Sequence, residues 1–231
     1  MKTDTTPSES QWKNMSMTTE YFERTKAVQA QYGPKTILLM QAGSFYEMYG
    51  HKTPNETLCK GSLIDEFGRI CNMAISPKSY TYQNETVYMA GFRDYSLEKY
   101  LNKMVEAKFT VVVINQGSEA QSTGAKKMER YVEGVYSPGT HVSFDVQTHE
   151  TWNQHLMCVW VHQLRQSYHM GIAILNLYTG QSHLLEHTTT MASASSSSLV
   201  HFDEWDKCLS IYRPRELVYI YDETKTSTQS L

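Results

Sequence analysis

The 231-residue sequence predicts an α/β fold in two domains: a mixed sheet with flanking helices, then a smaller α/β unit. Three observations carry that expectation. Ile37-Leu38-Leu39-Met40 and residues 109–114, the second rich in β-branched residues and apolar but for Thr110, are short runs with the pattern of strands covered on both faces. A helical pattern over residues 96–107 lies between them, as in a βαβ unit, so a mixed sheet with helices on it is the expected core. Beyond Ser137-Pro138-Gly139-Thr140 the texture changes to short strands separated by tight turns.

In chain order, residues 1–16 are polar and read as a disordered, frayed terminus. Residues 17–32 read as a helix with Met17, Tyr21, Val28 and Tyr32 at helical offsets, stopped by Gly33-Pro34. After the strand at 37–40, Gly43 interrupts the chain ahead of Phe45-Tyr46-Glu47-Met48-Tyr49. Residues 52–86 show no clear period and read as irregular. Ser96 is the expected N-cap of the helix at 96–107, and Leu97, Leu101, Met104 and Val105 its buried stripe. Pro138-Gly139 fits the two central positions of a type II turn. Residues 141–154 read as a linker, and 157–161, 171–177 and 182–186 as a β-meander with a hairpin at Tyr178-Thr179-Gly180. A low-complexity loop at 193–198, a helix over 200–211 and a strand over 217–221 follow. The two expected domains are 17–141 and 155–224.

Apolar residues at 40% and aromatics at 12% suffice for cores, which excludes wholesale disorder. Twenty-one basic residues against 24 acidic ones exclude a purely electrostatic nucleic-acid binder, because non-specific phosphate affinity scales with the cations available. A reader of shape through a few contacts stays open. No run approaches the roughly 18–20 apolar residues of a spanning helix, and the first residues contain no secretory pattern. The chain therefore reads as soluble and intracellular, with no membrane partner. Cys59, Cys71, Cys158 and Cys208 form no Cys-x-x-Cys pair and read as reduced thiols.

Several catalytic readings fail on spacing. His183-Leu184-Leu185-Glu186-His187 spells His-x-x-Glu-His, but metal binding by that motif needs a helix. Here the segment follows a hairpin and runs into three threonines, which favours a strand. Four residues of strand span about 13 Å, too far for two ligands on one zinc. There is no Gly-x-x-x-x-Gly-Lys-Ser/Thr loop for phosphates and no nucleophile-elbow spelling. No enzyme activity, metal or cofactor is expected of this chain by itself.

The informative segment is Gly43 to Tyr49. If it is extended, Phe45 and Glu47 share one face while Tyr46 and Met48 share the other. Tyr46 and Met48 can pack inward, leaving an aromatic ring and a carboxylate displayed together, unless Phe45 is simply core and Glu47 a solvated edge residue.

Gln41-Ala42-Gly43-Ser44-Phe45-Tyr46-Glu47-Met48-Tyr49 resembles the Gly-x-Phe-Tyr-Glu signature opening the mismatch-binding domain of the MutS family of DNA mismatch-repair proteins. Further landmarks follow in family order. Met89-Ala90-Gly91 resembles the family's Met-Ala-Gly loop, and Tyr100-Leu101-Asn102-Lys103-Met104-Val105 its Tyr-Leu-x-Lys-Leu-Val helix. Val113-Ile114-Asn115-Gln116 is similar to the strand ending in Glu-Gln, and Ser137-Pro138-Gly139-Thr140 to Thr-Pro-Gly-Thr. Residues 155–221 are similar in a general way to the MutS connector domain, an RNase-H-like α/β unit. The departures are Ser44 for the family's common Asp, His51-Lys52-Thr53 for an Asp-Ala pair, and Gly91-Phe92-Arg93 for Gly-Val/Ile-Pro.

The resemblance implies a mismatch-binding domain over 17–141 and a connector over 155–224, with the family's ATPase domain outside this amino-terminal piece. It implies mismatched or looped double-stranded DNA as ligand, with Phe45 inserting from the minor groove and Glu47 bonding the displaced base. For the full-length protein it implies ATP and Mg²⁺ as cofactors, a dimer, and a mismatch-repair partner docked on the connector. The residues after Tyr49 suggest a divergent branch, viral or organellar. The rival expectation is an interaction scaffold in which Phe45 is buried.

Overall fold

A computed structural model describes residues 15–117, 130–141, 154–164, 167–190 and 203–221. The chain divides into two compact units, Met1–Pro138 and Gly139–Leu231. The linker expected at 141–154 and the loop at 193–198 fall almost wholly outside the described residues.

The first unit opens with helix α1, Met17–Tyr32. Ser16 caps it, its hydroxyl accepting the Thr19 N–H at 3.2 Å. Gly33 ends it at φ 97°, a left-handed-side conformation glycine takes without penalty, while its N–H donates to the Gln29 carbonyl. The buried face differs from the expected stripe. Thr18, Glu20, Tyr21, Phe22 and Thr25 are buried, whereas Tyr32 is exposed. Polar residues can lie on that face because they are satisfied there. Glu20 pairs with Arg24 at 3.0 Å and with Arg130 at 3.2 Å, and Thr25 donates to the Tyr21 carbonyl. Hydrophobic periodicity alone could not register them.

Strands β1 (Thr36–Ala42) and β2 (Phe45–Lys52) form a hairpin. Helix α2 (Ile64–Cys71), strands β3 (Ser76–Tyr82) and β4 (Glu85–Arg93), helix α3 (Leu97–Glu106), and strands β5 (Thr110–Gln116) and β6 (Arg130–Tyr136) complete the unit. The sheet order is β3-β4-β2-β1-β5-β6, mixed because β1 runs parallel to β5 and antiparallel to β2. Ile37 to Met40 are at most 1% exposed, as a centre strand covered on both faces requires. Each such side chain contributes about 1.5–3 kcal/mol by leaving water.

Strand alternation fixes which helix covers which face. Tyr49 and His51 of β2 meet α1, through the Tyr21 ring at 5.2 Å and the Phe22 ring at 4.9 Å. On the opposite face, a Cβ at Gly50 would come within 2.6 Å of Ile64 of α2, so only glycine lets helix and strand approach that closely. The Phe92 and Tyr100 rings pack at a tilt, 4.5 Å between centroids, on that face and tie α3 to the sheet.

Residues 52–86 are irregular over 53–63 and 72–75, as expected, but they also hold α2 and most of the β3–β4 hairpin. Helix α2 is only eight residues long and has no capping side chain, so its start signal is missing. The hairpin turns through Gln83 and Asn84 at φ 49° and 65°, where glycine is the usual signal and glutamine is not. Ser96 occupies the N-cap position of α3 but makes no capping bond. The turn at Ser137–Thr140 is not type II, because Gly139 lacks the positive φ that type requires. Its glycine serves close approach instead: a Cβ there would lie 2.5 Å from that of Glu216, whose carboxylate accepts the Gly139 N–H at 2.9 Å.

The second unit is a four-stranded sheet, β10-β7-β8-β9, built from β7 (His155–Leu164), β8 (Ser167–Asn176), β9 (Ser182–Thr190) and β10 (Glu216–Tyr221). The first three form the expected meander, and β10 joins β7 in parallel. Helix α4 (Asp203–Tyr212) places Cys208 against a core of Met157, Val159, Met170, Ile172 and Ile174. His183, Glu186 and His187 all lie on β9, so Glu186 points to the face opposite both histidines. All four cysteines are free thiols, two buried and two half-buried.

Candidate nucleic-acid interface

The β1–β2 hairpin projects Phe45 from a two-residue turn, Gly43-Ser44. Gly43 adopts φ 60°, which lets the chain reverse so tightly. The tip is tied on both flanks. On one side the Gly43 N–H donates to Gln116 Oε1 at 2.9 Å, and the Gln116 N–H donates to Gln41 Oε1 at 2.9 Å. Gln41 Nε2 closes the loop on the Gly43 carbonyl at 3.2 Å. On the other side the Asp94 N–H donates to the Ser44 carbonyl at 3.0 Å. A short turn with this many cross-links has few ways to yield, and the residue after it is held in place.

Phe45 is 40% exposed although it lies within a strand. Tyr46 and Met48 point the other way and are buried at 5% and 1%, as alternation predicts. The Tyr46 hydroxyl donates to Asn115 Oδ1 at 2.6 Å, anchoring the inward face beneath the tip.

Glu47 shares the Phe45 face and is half-buried. It stands opposite Gly91 in the β2–β4 register, where a Cβ would come within 3.3 Å of Glu47 Cγ and 3.0 Å of the Tyr46 carbonyl. The glycine of Met89-Ala90-Gly91 thereby makes room for the glutamate stem. Tyr49, next on the same face, donates its hydroxyl to Glu47 Oε2. Burial first, and the carboxylate beside it second, hold the Tyr49 phenol far above its ordinary value, so it stays a donor. Burial and Glu47 likewise raise Tyr80.

Arg93 pairs with Phe45 in the β2–β4 register, and its guanidinium stands 5.4 Å from the ring centroid. Sequence reasoning found Phe45 and Glu47 but not Tyr49, Arg93 or Gln41. Tyr49 was legible, two positions beyond Glu47 in an alternating strand; Arg93 needed the β2–β4 register.

Residues 64–145 match the MutS domain I family model, a span that begins after Glu47. A mutS homologue of Acanthamoeba polyphaga mimivirus is 27% identical over 218 residues, covering 90% of this chain. The DNA mismatch repair protein MutS of Parabacteroides distasonis is 25% identical over 185 residues, and that of Bacteroides fragilis 24% over 186, each covering 80% of the chain. The chain spans 18% of the length of each of these relatives. Among the described residues, no helix is long and apolar enough to cross a membrane. The matched domain and the relatives spread over most of the chain show what it is similar to: MutS domain I over residues 64–145 and MutS mismatch repair proteins more widely.

Proposed function

We propose that the first unit reads mispaired or looped double-stranded DNA in mismatch repair, with Phe45 as an inserted wedge and Glu47 as the base-contacting carboxylate. The observation that carries this reading is an aromatic ring left 40% exposed on a cross-tied hairpin tip, two residues from an oriented carboxylate. Entry from the minor groove unstacks a base step at a cost of a few kcal/mol, least where pairing is already defective. Stacking on the ring returns about 1–3 kcal/mol for any base. The balance is unfavourable on sound duplex and favourable at a flaw, so deformability is what the protein measures.

The carboxylate adds a second filter. Glu47 repels phosphates of intact DNA and is tolerated where it gains a base hydrogen bond. Tyr49 occupies Oε2 and leaves Oε1 to meet a base N–H. This reading carries ATP and Mg²⁺ as cofactors of the full-length protein. Dimerisation and a partner on the second unit belong to the longer protein this reading envisages, in which that unit serves as connector. The mimivirus relative fits a viral branch.

A docking role for the second unit is favoured by a specific feature: Trp160, Leu175, Leu184, Val218 and Ile220 are all exposed. For the first unit, exposure of Phe45 favours the DNA reader over a scaffold with that ring in its core.

The test is fluorescence anisotropy of the full chain on a G·T duplex and its matched control. Phe45→Ala is expected to abolish the difference between them, a loss of about tenfold or more if stacking supplies the discrimination. Equal loss on both duplexes, or none, contradicts the wedge. Glu47→Ala should weaken discrimination while leaving matched-duplex binding equal or tighter; much weaker binding to both contradicts its role.

A further inference from the structure

Arg93 stands where the family pattern has proline, and nothing in the wedge reading requires a cation there. Three observations give it a task. It is the register partner of Phe45, so the two side chains leave neighbouring strands at the same level. Its guanidinium lies 5.4 Å from the ring centroid. The next residue, Asp94, donates its N–H to the Ser44 carbonyl, so the backbone carrying the arginine is bonded to the turn that carries the phenylalanine. Both side chains are exposed, which leaves room on the ring for a second partner.

A phenyl ring has two faces, both electron-rich at the centre. A planar, weakly hydrated guanidinium on one face is attracted by the quadrupole and restricts the ring's rotamers. The opposite face stays free for a base, which carries a π-surface of its own. Glutamate at position 47 makes the entrance acidic, and a fixed cation beside the ring offsets that without cancelling the carboxylate. The neighbouring acid, Asp94, is already engaged, accepting the Tyr95 N–H at 2.8 Å.

We infer that Arg93 is a positioning residue for the wedge: its guanidinium stays on one face of the Phe45 ring while the other face stacks on the defective base. This rests on the wedge reading above. It predicts that mismatch preference, rather than DNA affinity as such, depends on Arg93.

The experiment uses the full chain, with G·T and matched duplexes titrated across a salt series. Arg93→Met keeps the apolar stem and removes the charge; Arg93→Lys keeps a cation without the planar fork. Arg93→Met is expected to lower the G·T-to-matched affinity ratio about two- to fivefold, the size of an exposed cation–π contact. Arg93→Lys should restore most of it. In a Phe45→Ala background Arg93→Met should change the ratio no further, because the pair acts as one unit. Equal loss on both duplexes, with the salt slope shallower by about one charge, makes Arg93 a phosphate contact and overturns the inference. So does an unchanged ratio in Arg93→Met when Phe45→Ala abolishes discrimination, and that result leaves the wedge standing. If Phe45→Ala itself has no effect, the wedge fails and the inference with it.

Discussion

The two ends of strand β2 use the same alternation for opposite purposes. Phe45, Glu47, Tyr49 and His51 lie on one face of one strand, yet Phe45 is 40% exposed while Tyr49 is 3% and His51 8% exposed. Helix α1 makes the difference. It covers the far end, where Tyr21 and Phe22 meet Tyr49 and His51, and does not cover the hairpin end. Glu47 marks the border, with Tyr49 donating to it from the covered side. A helix that covers only half of a strand thus leaves aromatic and acidic side chains exposed on the rest.

The sharpest way to break this comparison is to truncate one aromatic at each end and compare stabilities by urea unfolding. Tyr21 is fully buried, its hydroxyl reaches the Leu38 carbonyl at 3.2 Å, and burial pushes its phenol up to about 12. Tyr21→Ala is expected to cost about 3–5 kcal/mol, as for other buried aromatics. Phe45→Ala should cost less than about 1 kcal/mol, because an exposed ring has little burial and one cation–π contact to lose. Comparable losses would mean that Phe45 is core after all.

The border can be sharpened with Tyr49→Phe, which deletes only the hydroxyl held by Glu47. A stability loss of about 1 kcal/mol is expected by urea unfolding. Weaker preference for the G·T duplex should accompany it, since an unheld carboxylate is aimed less well. An unchanged preference would show that Tyr49 orients nothing that matters to recognition.

The smallest effect concerns ions at the covered end. His51 Nδ1 lies 2.6 Å from Glu85, and Lys60 joins Glu56 and Glu85 at 2.6 and 3.0 Å. Lys60 chiefly, with the Thr53 N–H, holds Glu56 down to about 2, and Lys60 and then His51 lower Glu85. Carboxyls depressed in the folded state contribute stability above their ordinary value of 4.5, and that contribution fades as pH falls towards 2. Lys60→Met should therefore be less stable than the parent above pH 4.5 and converge with it near pH 2. Lys60 is exposed and both carboxylates keep contact with water, so the gap should be small; a gap widening on acidification would contradict the assignment.

Much of the first unit was legible because its signals are local. The four apolar residues at 37–40 and the stop at Gly33-Pro34 specify a strand and a helix end wherever the rest of the chain lies. Residues 64–71 and 76–93 were not legible. Their helix is short and uncapped, and their hairpin turns on Gln83-Asn84 rather than on glycine. The stripe chosen for α1 missed Glu20 because its burial depends on Arg130, more than a hundred positions away.

The sequence by itself indicated alternation over residues 45–49, with Tyr46 and Met48 able to pack inward, and an order of landmarks that resembles the MutS family's. Only the tertiary structure decided that Phe45 stands in solvent while Tyr49, in the same phase of the same strand, lies under a helix. It also decided that Gly91 makes space for Glu47 and that Arg93 meets the Phe45 ring. The reason is range: side-chain alternation is set by a residue's own backbone, but cover and register are set by segments distant in sequence.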